Sequence, residues 1–152
     1  MRNQGAGVLH AVHAYLDRLD LSLIQKMDKA GYIEWLDCHT AALVKELPVK
    51  HKPWGAARKA LNLFIRTSLY NRYLSGQFKL ENVEKWLEIP LDSAVAHGLK
   101  KEAGRGRLPQ WPGLKRLPRE ISDRFQEVAQ SLAALRNIST VHLDMYLWME
   151  NR

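Results

Sequence analysis

Apolar residues recur along most of this chain at the three- and four-residue spacing of amphipathic helices. The clearest case is a helix predicted over residues 54–74, in which Leu61, Phe64, Ile65 and Leu69 share one side. No stretch of useful length alternates apolar and polar residues as a half-buried strand does. The pattern therefore predicts an all-α protein.

Breaks in this pattern divide the rest of the chain into shorter helices. Gly31 is expected to end the second helix and Ser75–Gln77 the long one, while Asp92 stands where an N-cap residue belongs. A loop bracketed by two prolines predicts a helical hairpin over about residues 47–60. The predicted helices cover residues 8–19, 21–30, 33–47, 54–74, 81–89, 93–101, 120–135 and 141–152. We expect a bundle of about seven to eight helices that forms a single domain over residues 1–152.

The composition is that of a folded basic protein. Of its 152 residues 46% are hydrophobic, and Lys and Arg exceed Asp and Glu by 7, which gives a pI of about 9.7. This excess favours a polyanionic partner, with nucleic acid ahead of a membrane surface. Cys38 is the sole cysteine, which excludes an internal disulfide and indicates a reducing compartment. With no membrane-spanning run or signal peptide, we expect a soluble intracellular protein of the cytoplasm or nucleoid.

Most of the net charge lies in one segment. A basic loop over about residues 99–119, rich in Gly and Pro, holds seven cations against Glu102 alone. A second basic cluster, Lys50–His51–Lys52, lies in the predicted hairpin. A single charge run usually serves only solubility, but two basic loops in a helical hairpin protein favour contact with a nucleic-acid backbone.

Three short segments carry recognisable motifs, namely Gly55–Asn62, Glu88–Val95 and Val141–Trp148. They resemble motifs of the helix-hairpin-helix DNA glycosylases and occur in that superfamily's order. Gly55–Asn62 (GAARKALN) is similar to the second half of the hairpin motif, with Ala57 in place of its second glycine. Glu88–Val95 (EIPLDSAV) resembles the segment that carries the superfamily's aspartate. Val141–Trp148 (VHLDMYLW) resembles the last helix of the archaeal GO glycosylase branch, which excises 8-oxoguanine. The cysteines of the iron–sulfur branch are absent, which excludes that branch.

The resemblance implies a role for each segment. Lys59 would be the nucleophile and Asp92 the catalytic carboxylate. Contact with the extruded base is assigned to Asp144, Trp148 and His142 of the last motif, and to Trp35 because it lies on the helix before the hairpin. Contact with the DNA backbone is assigned to Lys50, His51, Lys52, Gly55, Arg58, Arg105, Arg107, Lys115 and Arg116. No metal ion or organic cofactor is implied, and the expected partner is double-stranded DNA with a damaged base, bound by a monomer.

The proposed chemistry requires these types of residue. Breaking an N-glycosidic bond builds positive charge on the sugar, which an adjacent carboxylate such as Asp92 stabilises. A neutral Lys59 amine can attack C1′ and form a Schiff base, from which β-elimination cuts the strand. The damaged base cannot be reached inside the duplex, so it must flip into a pocket with an aromatic plate and a hydrogen-bond acceptor. Asp144 and Trp148, four residues apart, share one face of the last helix.

Plain structural roles and two other functions stay open. Asp92 can serve only as an N-cap, Lys59 can extend its charge from a buried stem to solvent, and Trp148 can be a core aromatic residue. A non-catalytic helical DNA-binding protein would use the same basic loops, but would not need Asp92, Lys59 and Trp148 in one cleft. A small basic adaptor for an acidic protein surface would show no preference for DNA over other polyanions.

Overall fold

Seven α-helices, joined by loops and five short 3-10 turns, make up the described part of the chain. The structure is a computed structural model, and it describes residues 7–50 and 52–150. The α-helices are α1 (Val8–Leu16), α2 (Lys29–Glu46), α3 (Trp54–Tyr70), α4 (Arg72–Phe78), α5 (Ser93–Ala103), α6 (Arg119–Leu135) and α7 (Leu143–Glu150). The 3-10 turns are Leu21–Lys26, Leu80–Asn82, Glu84–Trp86, Leu114–Arg116 and Thr140–His142. These ranges contain no strand, so the prediction of an all-α bundle of seven to eight helices is confirmed.

The buried apolar residues form two clusters, and the chain passes from one to the other at residues 87–89. The N-terminal core is built mainly by α1, α2 and α3 and includes Leu36 and Leu61. The C-terminal core is built by α5, α6 and α7 and includes Leu99 and Phe125. Burial of such a side chain contributes about 1.5–3 kcal/mol each, so the two cores hold the helices in fixed positions.

Helix α3 joins the two cores. Its apolar stripe, including Leu61 and Ile65, is buried in the N-terminal core as the sequence pattern predicts. The side of α3 that carries Lys59 faces the C-terminal elements, because this lysine reaches Asp92 at the start of α5. Among the described residues, neither α3 nor any other helix is long and apolar enough to cross a membrane.

The N-terminal third contains a helix that starts earlier than predicted. Gly31, expected to end a helix, lies in the first turn of α2, where its N–H donates to Asp28 Oδ1 at 2.8 Å. The helix predicted over residues 21–30 is instead the 3-10 turn Leu21–Lys26. A side-chain cap at Asp28 thus outweighs the helix-breaking tendency of the glycine.

The long helix predicted over residues 54–74 is two helices. It ends at Tyr70, and the Asn71 side chain caps α4 by accepting hydrogen bonds from the N–H groups of Tyr73 and Leu74, each at 3.1 Å. The segment Ser75–Gln77, expected to break a helix, lies within α4. The turn at the junction is therefore made by an asparagine cap and not by the glycine.

Within the hairpin region, residues 47–60, α3 begins at Trp54, the predicted start of the long helix. Lys52 adopts a left-handed backbone with a φ of 43°, at which a side chain is uncommon. Its Nζ donates to the carbonyl oxygens of Lys45 at 3.2 Å and Leu47 at 3.4 Å, near the end of α2. The Lys45 carbonyl is one that a helix end leaves without an intrahelical partner, whereas the Leu47 carbonyl also accepts from the Val49 N–H at 2.8 Å.

Candidate active site

Lys59 on α3 and Asp92 at the start of α5 meet at the junction between the two cores. They are 33 residues apart in sequence, and Lys59 Nζ donates a hydrogen bond to Asp92 Oδ2 at 2.9 Å. The Lys59 side chain is 13% exposed and that of Asp92 is 37% exposed, so solvent reaches the pair mainly from the carboxylate. An amine and a carboxylate are therefore placed to act on the same bound molecule.

The segment that carries Asp92 is fixed from two sides. Ile89 exchanges two backbone hydrogen bonds with the side chain of Gln126 on α6, at 3.1 and 2.9 Å. From α3, Asn62 Nδ2 donates to Glu88 Oε2 at 2.8 Å. These contacts hold the chain just before Asp92 and thereby set the position of its carboxylate.

The pKa of Asp92 lies below its ordinary value. Partial burial is the largest influence and raises the pKa, but hydrogen bonds from the Val95 N–H and from Lys59 together outweigh it. The Val95 N–H donates to Asp92 Oδ1 at 2.9 Å, which is the predicted N-cap of α5. Asp92 is therefore a carboxylate at neutral pH, the form that stabilises a developing positive charge.

An open pocket of about 530 Å³ adjoins the Lys59–Asp92 pair. Its lining includes Arg66, Tyr70, Asp92, Asp144, Met145 and Trp148. Three residues predicted from two separate motifs, Asp92 from one and Asp144 and Trp148 from the other, thus lie on one cavity, here called the α3–α7 pocket. Its volume is in the range of small-molecule binding sites.

Asp144 lies in this pocket as half of an ion pair. Arg66 Nη1 donates to Asp144 Oδ2, which leaves the other carboxylate oxygen for a different partner. Asp144 Oδ1 is buried and has no hydrogen-bond partner among the described residues. A buried acceptor without a partner is unfavourable, so a ligand that donates an N–H to this oxygen would be stabilised.

Arg66 and Tyr70 line the pocket but belong to none of the three motifs. They follow Lys59 by seven and eleven residues on α3, a spacing that places all three on one side of a helix. This periodicity is the signal that could have identified them. What the sequence could not show is that α7 brings Asp144 against the same side of α3.

His142 contacts a pocket residue and is not among the described residues that line the pocket. Its ring stacks on Tyr70 with centroids 5.5 Å apart, and its Nδ1 lies 2.8 Å from the Tyr70 hydroxyl. Its Nε2 lies 2.8 Å from Glu84 Oε1. Burial raises the pKa of Tyr70 against the opposing charge of Arg66, so the phenol is neutral. The assignment of His142 to direct base contact is therefore replaced by a role in orienting Tyr70.

The assignment of Trp35 to base contact is wrong, because Trp35 belongs to the N-terminal core. The residue is 8% exposed. Its ring stacks on Tyr32 at 6.2 Å between centroids and lies tilted against His39 at 4.5 Å. Core packing on α2 therefore occupies the ring faces that a base would need.

The assignment of Arg58 to the DNA backbone is also wrong. The residue is 4% exposed, and its guanidinium donates to both carboxylate oxygens of Glu88 at 2.9 and 2.7 Å. It also donates to Asp37 Oδ1 at 2.8 Å and to Thr40 Oγ1 at 3.1 Å. Arg58 therefore links α2, α3 and the segment before Asp92, and its donors are not available to phosphate.

Gly55 serves close packing in place of the predicted backbone contact. It is buried in the first turn of α3, where a Cβ atom would lie 2.6 Å from Leu117 Cβ and 2.7 Å from the Leu114 carbonyl oxygen. Only a glycine lets α3 approach the loop before α6 this closely. In the hairpin a positive φ occurs at Lys52.

The hairpin cations are only partly placed as predicted. Lys50 is exposed and His51 lies outside the described residues. Lys52 is exposed but donates to carbonyl oxygens at the end of α2. Among the described cations of the hairpin, Lys50 is therefore the one whose side chain is exposed as predicted and makes no such bond to a carbonyl oxygen.

The basic loop predicted over residues 99–119 is partly helical, because α5 continues to Ala103. Residues 104–118 are irregular except for the turn Leu114–Arg116. The four assigned cations of this stretch are exposed, namely Arg105, Arg107, Lys115 and Arg116. They are accessible to a polyanion, as the sequence predicts.

No protein-family model, curated protein or solved structure matches this chain. In the part of the chain that the structure describes, no group of three or more His, Cys, Asp or Glu side chains is placed to hold a metal ion. The function must therefore be inferred from the residues of the site and from the motifs that carry them.

Proposed function

We propose that this protein is a DNA glycosylase with abasic-site lyase activity that excises an oxidised purine, in the first instance 8-oxoguanine. The observation that carries the proposal is the Lys59–Asp92 pair at the edge of a pocket that also holds Asp144 and Trp148. Excision through a Schiff base requires an amine, a carboxylate, and a pocket that accepts a flipped base. All of these groups lie within one region of this fold.

The α3–α7 pocket has the chemistry to hold a flipped purine. Trp148 is 59% exposed and offers an aromatic surface for stacking. Asp144 Oδ1, which is buried without a partner among the described residues, can accept from a purine N–H. Arg66 holds the other Asp144 oxygen and so fixes the direction of this acceptor.

The Lys59–Asp92 pair can then perform the reaction. Lys59 reacts as the neutral amine, while Asp92, whose Oδ2 lies 2.9 Å from Lys59 Nζ, stays a carboxylate that stabilises the positive charge developing on the sugar. The neutral amine attacks C1′, the C1′–N9 bond breaks with its electron pair passing to the base, and the base takes a proton from the newly bonded lysine nitrogen. The lone pair left on this nitrogen expels O4′, which takes a proton from water, and the C1′=N double bond of the Schiff base forms. Loss of a C2′ proton then expels the 3′-phosphate and cuts the strand.

Borohydride trapping on a duplex with a single 8-oxoguanine tests this proposal. Borohydride reduces a Schiff base to a stable amine, so the wild-type protein should become covalently attached to the DNA. We expect Lys59→Gln to abolish the adduct, because glutamine has no nucleophilic amine. Lys26→Gln is the matched control, since Lys26 is an exposed lysine of the turn Leu21–Lys26, and it should trap as the wild type does.

Each outcome has a separate meaning. An adduct that survives Lys59→Gln would show that another amine is the nucleophile. The absence of any adduct, on 8-oxoguanine and on an abasic site, would overturn the enzymatic proposal. If such a protein still bound DNA in a salt-dependent manner, the non-catalytic DNA-binding function would replace it.

A further inference from the structure

A second groove, separate from the α3–α7 pocket, lies between α5 and the irregular segment that follows it. Its volume is about 730 Å³, and its lining includes Ser93, His97, Lys100, Lys101, Arg105 and Trp111. No Asp or Glu is among its described lining residues. We call it the Trp111 groove. Its charge is complementary to phosphate, and His97 and Trp111 received no role in the proposed reaction.

Trp111 is a fixed part of the groove. Its indole Nε1 donates to Ser93 Oγ at 3.2 Å, at the start of α5. Its ring packs edge-on against the buried Phe125 of the C-terminal core, with centroids 5.3 Å apart. One contact holds the edge of the indole and the other supports the ring from the core, so its orientation is set before any ligand binds. A preorganised aromatic ring among cations is typical of sites that stack nucleobases.

The groove and the α3–α7 pocket share the first turn of α5. Asp92 and Ala94 line the pocket, whereas Ser93, between them in sequence, lines the groove. Consecutive Cα atoms are about 3.8 Å apart, so the linings of the pocket and the groove meet at the N-terminus of α5. A strand with one nucleotide in the pocket can therefore direct an adjacent nucleotide toward the groove.

We propose that the Trp111 groove binds an unpaired nucleotide next to the flipped one, with its base stacked on Trp111 and its phosphate near Lys100 and Arg105. The inference rests on the nucleic-acid binding of the proposed function and extends it to the form of the substrate. It implies that the protein binds DNA whose strand is opened beside the lesion. Single-stranded or locally unpaired DNA should therefore be bound more tightly than a fully paired, lesion-free duplex of the same sequence.

Binding of lesion-free DNA to a Trp111→Leu variant tests this inference independently of catalysis. Leucine keeps an apolar contact with Phe125 but removes the stacking surface. Since one base–aromatic stack is typically worth about tenfold or more in affinity, we expect single-strand binding to weaken by about tenfold. Binding of the paired duplex should change by less than about twofold, because paired bases are not free to stack on Trp111. Fluorescence anisotropy at fixed salt measures both, and Trp86→Leu, a partly buried tryptophan of the N-terminal core, is the matched control.

A second measurement uses the unaltered protein. An oligonucleotide with 5-iodouracil, irradiated in complex with the wild type, should form its crosslink at Trp111 or an adjacent residue. Crosslinks only at other sites, wild-type affinity in Trp111→Leu, or equal losses for single strand and duplex would each overturn the inference. If Trp111→Leu loses single-strand binding while the wild-type protein gives no borohydride adduct, the groove is supported and the glycosylase proposal is rejected.

Discussion

At the scale of single residues, the two oxygens of Asp92 perform different tasks that substitutions can separate. Oδ1 caps α5 and Oδ2 pairs with Lys59. Asparagine keeps a capping oxygen but carries no charge, so we expect Asp92→Asn to slow excision by about 100-fold or more. Asp92→Ala should slow excision similarly and also lower the free energy of unfolding by about 1 kcal/mol through loss of the cap. Single-turnover excision and urea denaturation measure the two effects.

The matched control is Asp28→Asn. Asp28 caps α2 by accepting from the Gly31 N–H, and it is exposed and remote in sequence from the site. This variant should excise and unfold as the wild type does. If Asp92→Asn excises the base at the wild-type rate, the carboxylate charge is not needed and Asp92 serves only as a helix cap.

The residues of the site differ in how far the sequence determines them. Lys59 and Asp92 could be paired in advance because each lies at a matching position in a short motif. Arg58, adjacent to Lys59, was assigned to the same surface, but one residue along a helix rotates a side chain by about 100°. That rotation directs it toward Asp37 and Glu88, which only the packing of α2 and residues 87–89 brings together.

At the scale of the elements, Gly55 controls how closely α3 approaches the loop before α6. An added methyl group would lie 2.6 Å from Leu117 Cβ and 2.7 Å from a backbone oxygen, which cannot move aside as a flexible side chain can. We expect Gly55→Ala to lower the free energy of unfolding by about 1–3 kcal/mol, the typical cost of overpacking. Because α3 also carries Lys59, excision should fall as well. Thermal unfolding and the excision assay measure these changes.

Gly76 provides the matched control for this substitution. It lies within α4, and a Cβ atom there would meet nothing within 4 Å. Gly76→Ala should raise stability by about 0.5–1 kcal/mol, because alanine is the better helix former where space is free. Equal effects of the two substitutions on stability would show that close packing is not the reason for a glycine at position 55.

The same elements show why helix existence could be predicted better than helix ends. Apolar periodicity located the helical stretches because each buries one side in a core. The ends depend on local caps that compete with composition, and here Asn71 starts a helix while Gly31 and Gly76 lie inside helices. Where a cap forms depends on the direction in which the chain must turn. The pattern of apolar residues carries no information about that direction.

At the scale of the whole molecule, the site lies where the two cores meet. The N-terminal core holds α3 and the C-terminal core holds α5 and α7, so the relative position of the cores sets the distance from Lys59 to Asp92. The sequence indicated the residues but not this division. Trp35 was assigned to the site because it precedes the hairpin in sequence, yet it packs within the N-terminal core.

The distribution of charge makes a prediction at this scale. Replacing Arg105, Arg107, Lys115 and Arg116 together by glutamine removes four exposed cations from the loop between α5 and α6. If all four contact phosphate, the slope of log affinity against log salt for duplex DNA should fall in magnitude by about 3.6, at about 0.9 for each contact. Anisotropy titrations over a series of salt concentrations give this slope.

A charge-matched variant distinguishes contact from a general effect of net charge. Lys26, Lys29, Arg72 and Lys79 are exposed cations outside the hairpin and the basic loop, and their replacement by glutamine changes the net charge equally. Long-range attraction falls off within about 10 Å at 0.1 M salt, so only cations close to bound DNA contribute strongly to the slope. The second variant should therefore keep a slope near that of the wild type. Equal losses in the two variants would mean that DNA does not lie along the basic loop.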